Sequence, residues 1–143
     1  MRISVHVAVS LILAAMLFPV YGLKSLFILA GGVLIDADHY LYYIIKFKNF
    51  SLAKSYRFFS SEADANNHKY IEGIVLVLHT AEFLAAMLVL SFYGEYALMF
   101  TVGMVGHYIL DAIWFMCVLK RFVLNHSIIS WIIKKFKYSV GSK

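Results

Sequence analysis

The chain carries little charge and almost no cysteine. Of its 143 residues, 62% are hydrophobic and 15% are charged, and only eight are acidic. This composition lies outside the range of soluble globular proteins and indicates a single integral membrane domain over residues 1–143. Cys117 is the only cysteine, which excludes an intramolecular disulfide and a cysteine-based zinc site. Any bound metal would therefore need histidine and carboxylate ligands.

Two further absences narrow the function. No internal repeat is evident, and the His-Glu-x-x-His motif of the commonest helical zinc proteases does not occur. The formal charge of +5 could suggest nucleic acid, but the basic residues lie beside apolar stretches, where they indicate membrane topology and contacts with anionic lipid. We therefore expect membrane lipid, and no nucleic acid, as a partner.

Four apolar stretches are long enough, at 1.5 Å per residue, to cross a hydrocarbon core of about 30 Å. They cover residues 3–21, 24–45, 70–93 and 96–119, and a polar loop over 46–69 joins the second to the third. A shorter apolar run precedes Lys134, Lys135 and Lys137, which predicts an interfacial amphipathic helix over 122–137. The sequence thus predicts an all-α polytopic fold with four transmembrane helices and a C-terminal interfacial helix.

The distribution of Lys and Arg predicts the orientation, because these residues collect on the cytoplasmic side. With four spans and an internal N-terminus, every Lys and Arg except Lys24 lies on that side. We therefore predict that both termini and the loop 46–69 are cytoplasmic. The first apolar run is expected to be retained as a span, in a prokaryotic inner membrane.

Five of the acidic residues lie in or beside these apolar stretches, each within a few positions of a histidine: Asp36, Asp38, Glu72, Glu82 and Asp111. An ionisable group in a transmembrane helix costs at least about 2.5–3.5 kcal/mol on insertion scales. Such groups are tolerated when they neutralise one another, bind a cation or line water. The pattern therefore predicts a buried polar site, in the inner half of the membrane given this topology.

The angular positions of these residues around the predicted helices support the same site. In the third span, four residues fall within an arc of about 80°, taking 100° per residue: His68, Glu72, His79 and Glu82. In the fourth span His107 and Asp111 form an i,i+4 pair, and Gly103 leaves room for close backbone approach. Asp38 would point away from Asp36 and His39 in a regular helix, unless Gly31-Gly32 loosens it.

Histidines and carboxylates on facing helices are the usual ligands of metal sites in helical bundles. We predict one or two divalent ions, most simply Zn²⁺, with Mn²⁺ or Fe²⁺ as alternatives. The candidate ligands are His6, Asp36, His39, His68, His79, His107 and Asp111. The candidates for a general base acting on water are Asp38, Glu72 and Glu82.

Two motifs carry a family resemblance: Gly31–His39, which reads GGVLIDADH, and Gly106–Asp111, which reads GHYILD. They resemble the YdjM-like family of small membrane-bound metal-dependent hydrolases, which is distantly similar to zinc-dependent phospholipase C. The resemblance covers His6 to Asp111. It departs from the family at His68-Lys69-Tyr70, where a second histidine is missing and His79 could compensate.

The resemblance implies hydrolysis of a phospholipid or another amphipathic phosphoester. In that reading the segment Ser55–Lys69 is a lid in which Arg57 and Lys69 hold the substrate phosphate. Two other functions stay open: a protein that translocates protons or metal ions, and a non-catalytic membrane subunit in which the polar pairs only fix helix packing. His126 reads as a surface residue, and the oligomeric state is not predicted.

Overall fold

The computed structural model describes residues 3–64, 74–119 and 127–141, and among these residues it contains helices and no strand. The predicted all-α class is confirmed. The helices are α1 (Ile3–Tyr21), α2 (Phe27–Val33), α3 (Ala37–Phe47), α4 (Leu52–Asp64), α5 (Ala81–Leu90), α6 (Glu95–Trp114) and α7 (Ile128–Gly141). Short 3-10 turns at Gly22–Leu26, Leu34–Asp36, Val77–His79 and Ser91–Tyr93 join or extend them, and a π turn at Phe115–Leu119 follows α6.

Helices α1 and α2 form an antiparallel hairpin. The chain reverses just after α1, at Gly22, whose φ of 55° is one that side chains other than glycine rarely adopt. Ala14 then packs against Ile28, and the Ser10 side chain lies against Gly32. In each pair the two residues lie about equally far along the chain from the turn, so the start of α1 lies beside the end of α2.

Helix α6 runs parallel to α2 at very short distance. A Cβ at Gly31 would lie 1.9 Å from the carbonyl oxygen of Phe100, and one at Gly103 would lie 2.1 Å from that of Ile28. Only glycine fits at such a backbone crossing. The close approach predicted for Gly103 is therefore present, and Gly31 supplies the matching surface on α2.

Helix α5 runs antiparallel to α6. The Thr101 hydroxyl donates to the Met87 carbonyl at 3.0 Å, and the Tyr108 hydroxyl donates to the Leu78 carbonyl at 2.7 Å. The start of α5 is therefore beside the second half of α6. Together with the α1–α2 hairpin, this arrangement gathers the start of α1, the end of α2 and the start of α5 at one end of the bundle.

Two helical stretches are long and apolar enough to cross a membrane: Ile3–Phe47 and Glu95–Cys117. The first contains the reversal at Gly22 and so comprises the hairpin and α3. The third predicted span, 70–93, is not a continuous helix in its described part. Residues 74–76 are non-helical, and Thr80 has φ −94° and ψ 152°, so the apolar helix Ala81–Tyr93 starts only after it.

The other predicted boundaries also change. The segment 46–69, predicted as a loop, contains the 13-residue helix α4. The C-terminal helix predicted for 122–137 corresponds to α7, which begins at Ile128 within the described residues and ends at Gly141. Four residues considered as site members or alternatives lie outside the described residues: His68, Lys69, Glu72 and His126.

The interior of the bundle is unusually polar. Among the described residues, the buried side chains are three histidines, Asp38, three serines and two threonines, against eight hydrophobic residues. The outside carries large apolar side chains, such as Met16 at 70% and Val20 at 75% exposure. A protein in water usually has its polar side chains outside and its large apolar side chains inside. The exposed apolar surface of this bundle therefore needs an apolar environment, and the buried polar groups need polar or charged partners.

Candidate metal centre

Histidine and carboxylate side chains meet where the ends of four elements converge. His6 comes from α1, Asp36 from the turn after α2, His79 from the turn before α5, and His107 from α6. His6, His79 and His107 are each no more than 3% exposed. The arrangement can hold a metal ion in three overlapping groups: His6, His107 and Asp111; Asp36, His79 and His107; and Asp38, His39 and His79.

The orientation of His107 is fixed by the backbone of α2. Its Nδ1 lies 2.9 Å from the carbonyl oxygen of Gly32, and because a carbonyl only accepts, Nδ1 must carry the proton. A neutral His107 then has a bare Nε2 that points into the cluster. The glycine crossing is what allows this contact, since Gly31 and Gly103 bring the backbones of α2 and α6 together.

Asp38 fixes the tautomer of His79 in the same way, with the proton on Nδ1. The Asp38 Oδ2 accepts hydrogen bonds from His79 Nδ1 at 3.1 Å and from the Leu78 amide at 3.0 Å. This carboxylate–histidine contact is the usual outer partner of a metal-binding histidine, because it fixes the tautomer and raises the basicity of the other nitrogen. In a neutral His79, Nε2 is thereby left to accept.

The two accepting nitrogens face each other. His79 Nε2 and His107 Nε2 are 3.1 Å apart, and Asp36 Oδ1 lies 3.5 Å from the first and 3.6 Å from the second. Three electron-rich atoms at such distances repel one another unless a proton or a cation lies among them. The edges also match tetrahedral Zn²⁺, for which ligand atoms at about 2.1 Å are about 3.4 Å apart. The residues present therefore fit a divalent metal.

His6 and Asp111 extend the cluster on the other side of His107. The rings of His6 and His107 stack with centroids 3.9 Å apart. Asp111 bridges them, with Oδ1 3.3 Å from His6 Nε2 and Oδ2 3.2 Å from His107 Nε2. The i,i+4 spacing of His107 and Asp111 on a regular helix produces this contact directly.

His39 marks the outer edge of the cluster. Its Nδ1 lies 3.3 Å from Asp36 Oδ1 and 3.2 Å from Asp38 Oδ1, and the ring of Phe59 in α4 covers it at 4.8 Å between centroids. The buried atoms His39 Nδ1 and Asp38 Oδ1 have no hydrogen bond within the described part of the chain. The 3-10 turn Leu34–Asp36 makes this geometry possible, because it breaks the helix and turns both carboxylates inward.

The break before α5 has its own local cause. The Thr80 hydroxyl accepts from the Phe83 amide at 3.3 Å and so caps α5. The Tyr108 hydroxyl donates to the carbonyls of Leu78 and Thr80, at 2.7 and 3.2 Å. The contact with Tyr108 gives the Leu78 carbonyl a donor in place of the backbone amide that an uninterrupted helix would supply, and the break presents His79 to the cluster.

Glu82, predicted as a general base, is placed elsewhere. Its carboxylate accepts from the Ser127 hydroxyl at 2.6 Å, the Ile128 amide at 3.2 Å and the Ile129 amide at 3.3 Å. Glu82 therefore caps the N-terminus of α7. Its predicted phase with His79 assumed a continuous third helix, and the break at Thr80 removes that relation.

Other predicted roles are placed as follows. Asp38, predicted as a base, binds His79 and a backbone amide instead. Arg57, predicted to hold phosphate, is exposed on α4.

Tyr108 and the Gly32 carbonyl position the histidines and were not predicted, since an aromatic residue in a span and a backbone carbonyl carry no distinctive sequence signal. A threonine before an apolar run is a usual helix cap and could have indicated the start of α5 at Thr80.

Comparisons with known proteins give no further identification. The chain matches no protein-family model, no curated protein and no solved structure.

Proposed function

We propose that this chain is a membrane-embedded, metal-dependent hydrolase of a phospholipid or another amphipathic phosphoester. The observation that carries the proposal is the triangle of accepting atoms His79 Nε2, His107 Nε2 and Asp36 Oδ1, with edges of 3.1–3.6 Å. A divalent ion held by these three residues would supply Lewis-acid chemistry and would lower the pKa of a bound water. Zn²⁺ suits two imidazoles and a carboxylate best.

The membrane location is supported by the inverted distribution of polarity. Large apolar side chains such as Leu11, Val20 and Leu23 are at least half exposed, whereas the histidines are buried. Lipid would cover the apolar surface, and the cation would satisfy the buried ligands. The Lys and Arg distribution opens the cluster to the cytoplasmic side of an inner membrane, with both termini on that side.

The two candidate groups that share His107 cannot both hold an ion. His107 belongs to two of the three candidate groups, but its Nε2 lone pair serves a single ion because its Nδ1 is bonded to Gly32. We assign the ion to Asp36, His79 and His107. Asp111, 3.2 Å from His107 Nε2 and 3.3 Å from His6 Nε2, is then the carboxylate that accepts the proton from water.

The substrate class follows from where the cluster lies and from the resemblance of the Asp36 and His107 motifs to membrane-bound hydrolases. His39, at the outer edge, is covered by Phe59, whose neighbours in the same aromatic patch are Tyr42 and Phe58. An apolar rim next to a polar centre suits a lipid whose phosphate reaches the ion while its chains stay in the bilayer.

The test uses the full chain in lipid nanodiscs, loaded with Zn²⁺ and supplied with a fluorogenic phospholipid and a soluble phosphodiester. We expect turnover of the lipid that is lost in Asp36→Asn and His107→Ala. Glu82→Gln is the matched control, since it changes a carboxylate in an apolar helix that does not face the triangle. Bound zinc without turnover of any lipid or diester would mean that the site is structural, and equal loss in Glu82→Gln would contradict the assigned roles.

A further inference from the structure

Helix α7 carries an apolar face that no described residue of the bundle covers. Ile129, Ile132, Ile133 and Phe136 are 60%, 41%, 51% and 69% exposed. At 100° per residue these four side chains fall within an arc of about 100°. An exposed apolar face on a helix whose position is fixed indicates a surface that binds another molecule or a membrane.

The charge on α7 identifies the occupant. The helix contains Lys134, Lys135 and Lys137 and no acidic residue. These lysines point at least about 90° away from the centre of the apolar arc, so they flank it. An apolar stripe bordered by lysines is the pattern of helices that lie in the surface of an anionic bilayer.

Length and attachment decide how the helix meets the bilayer. With 14 residues, α7 is about 21 Å long, which is shorter than the hydrocarbon core of about 30 Å. Its first turn is fixed to α5, because Ser127 accepts from the Ser130 amide at 3.1 Å and donates to Glu82 at 2.6 Å. A short helix with one fixed end can lie along the surface but cannot cross the membrane.

We infer that α7 binds the surface of an anionic lipid bilayer through Ile129, Ile132, Ile133 and Phe136, with its three lysines on the phosphate headgroups. This inference rests on the membrane location in the proposed function and is independent of the metal centre. Glu82 is the anchor that holds the helix next to the turn carrying His79.

The experiment measures the depth of a spin label at position 136. In a Cys117→Ser background, Phe136→Cys is labelled with a nitroxide in nanodiscs of phosphatidylcholine alone or with phosphatidylglycerol. Accessibility to oxygen is compared with accessibility to a water-soluble nickel complex. We expect the label to lie about 5–10 Å below the headgroup boundary in the anionic discs. The same label at Ser130→Cys, on the polar flank, should stay in water.

A charge variant tests the role of the lysines. Changing Lys134, Lys135 and Lys137 together to Gln should remove the dependence on anionic lipid, and the matched change of Lys46, Lys48 and Lys54 should retain it. A label at position 136 that is in water in both lipids overturns the inference. So does shielding that occurs only with two copies per disc, because the face would then bind a second copy.

The membrane location has a separate readout. Protein that stays in liposomes after an alkaline wash, yet has a water-exposed label at position 136, contradicts the α7 inference alone. Protein that the wash removes contradicts the membrane location and the inference with it.

Discussion

Replacing Gly103 with alanine tests the link between helix packing and the metal centre. The new Cβ would lie 2.1 Å from the Ile28 carbonyl oxygen and 2.9 Å from the Gly32 amide nitrogen. Ordinary C···O contacts are about 3.3 Å or longer, so α2 and α6 would have to separate by about 1 Å. Both groups are backbone and cannot turn away as a side chain could.

The expected cost follows from three contributions. Overpacking against backbone costs about 3 kcal/mol, at the upper end of the usual range. Loss of the bond from His107 to the Gly32 carbonyl adds about 1 kcal/mol, and the higher helix propensity of alanine returns about 1 kcal/mol. The net destabilisation is about 3 kcal/mol, which lowers the Tm by about 10 °C for a chain of this size.

The assay is thermal unfolding in detergent together with zinc affinity by competition with a chelator. Because the Gly32 carbonyl orients His107, we also expect zinc to bind about 10- to 100-fold more weakly. Gly106→Ala is the control: its Cβ meets only the Leu13 side chain, at 3.3 Å, and should change stability by less than about 1 kcal/mol. Equal stability and zinc affinity in Gly103→Ala and the wild type would refute the close crossing.

Three further substitutions separate the roles of neighbouring residues. Asp38→Asn should weaken zinc binding about 10- to 100-fold without abolishing it, since it perturbs the orientation of His79 and leaves the three ligands in place; unchanged affinity in a chelator competition would contradict this. Tyr108→Phe should lower the free energy of unfolding by about 1–2 kcal/mol, because the Leu78 carbonyl loses its donor, and a calorimetric Tm equal to that of the wild type would argue against it. Glu82→Ala should speed hydrogen exchange of the Ile128 and Ile129 amides several-fold with no effect on zinc affinity, whereas weaker zinc binding would place Glu82 at the site after all.

Local sequence patterns predicted the parts of the site that depend on regular helices. The i,i+4 spacing of His107 and Asp111 and the small residue at Gly103 translate directly into contacts on α6. The candidate ligands His6 and Asp36, which come from different apolar stretches, also lie at the same end of the bundle.

The remaining features depend on contacts between residues distant in sequence. The helix break at Thr80 is stabilised by Tyr108 and Asp38, which lie 28 and 42 positions away in the sequence. Because local periodicity contains no information about such distant contacts, it predicted a helix that continues through Thr80. Glu82 looked like a site member by phase, but its partner is the start of α7. The direction of Asp38 depends on the turn Leu34–Asp36, which follows Gly31-Gly32. The sequence predicted that Asp38 points away in a regular helix, and it left open whether these glycines loosen that helix.

X-ray absorption at the zinc edge of the zinc-loaded protein tests the metal centre directly. A zinc ion held by Asp36, His79 and His107 predicts two imidazole nitrogens and oxygen ligands at about 2.0–2.1 Å and no sulfur. It also predicts that the imidazole signal is lost in His79→Ala with His107→Ala. A sulfur ligand at about 2.3 Å, or an imidazole signal unchanged in that double variant, would contradict it.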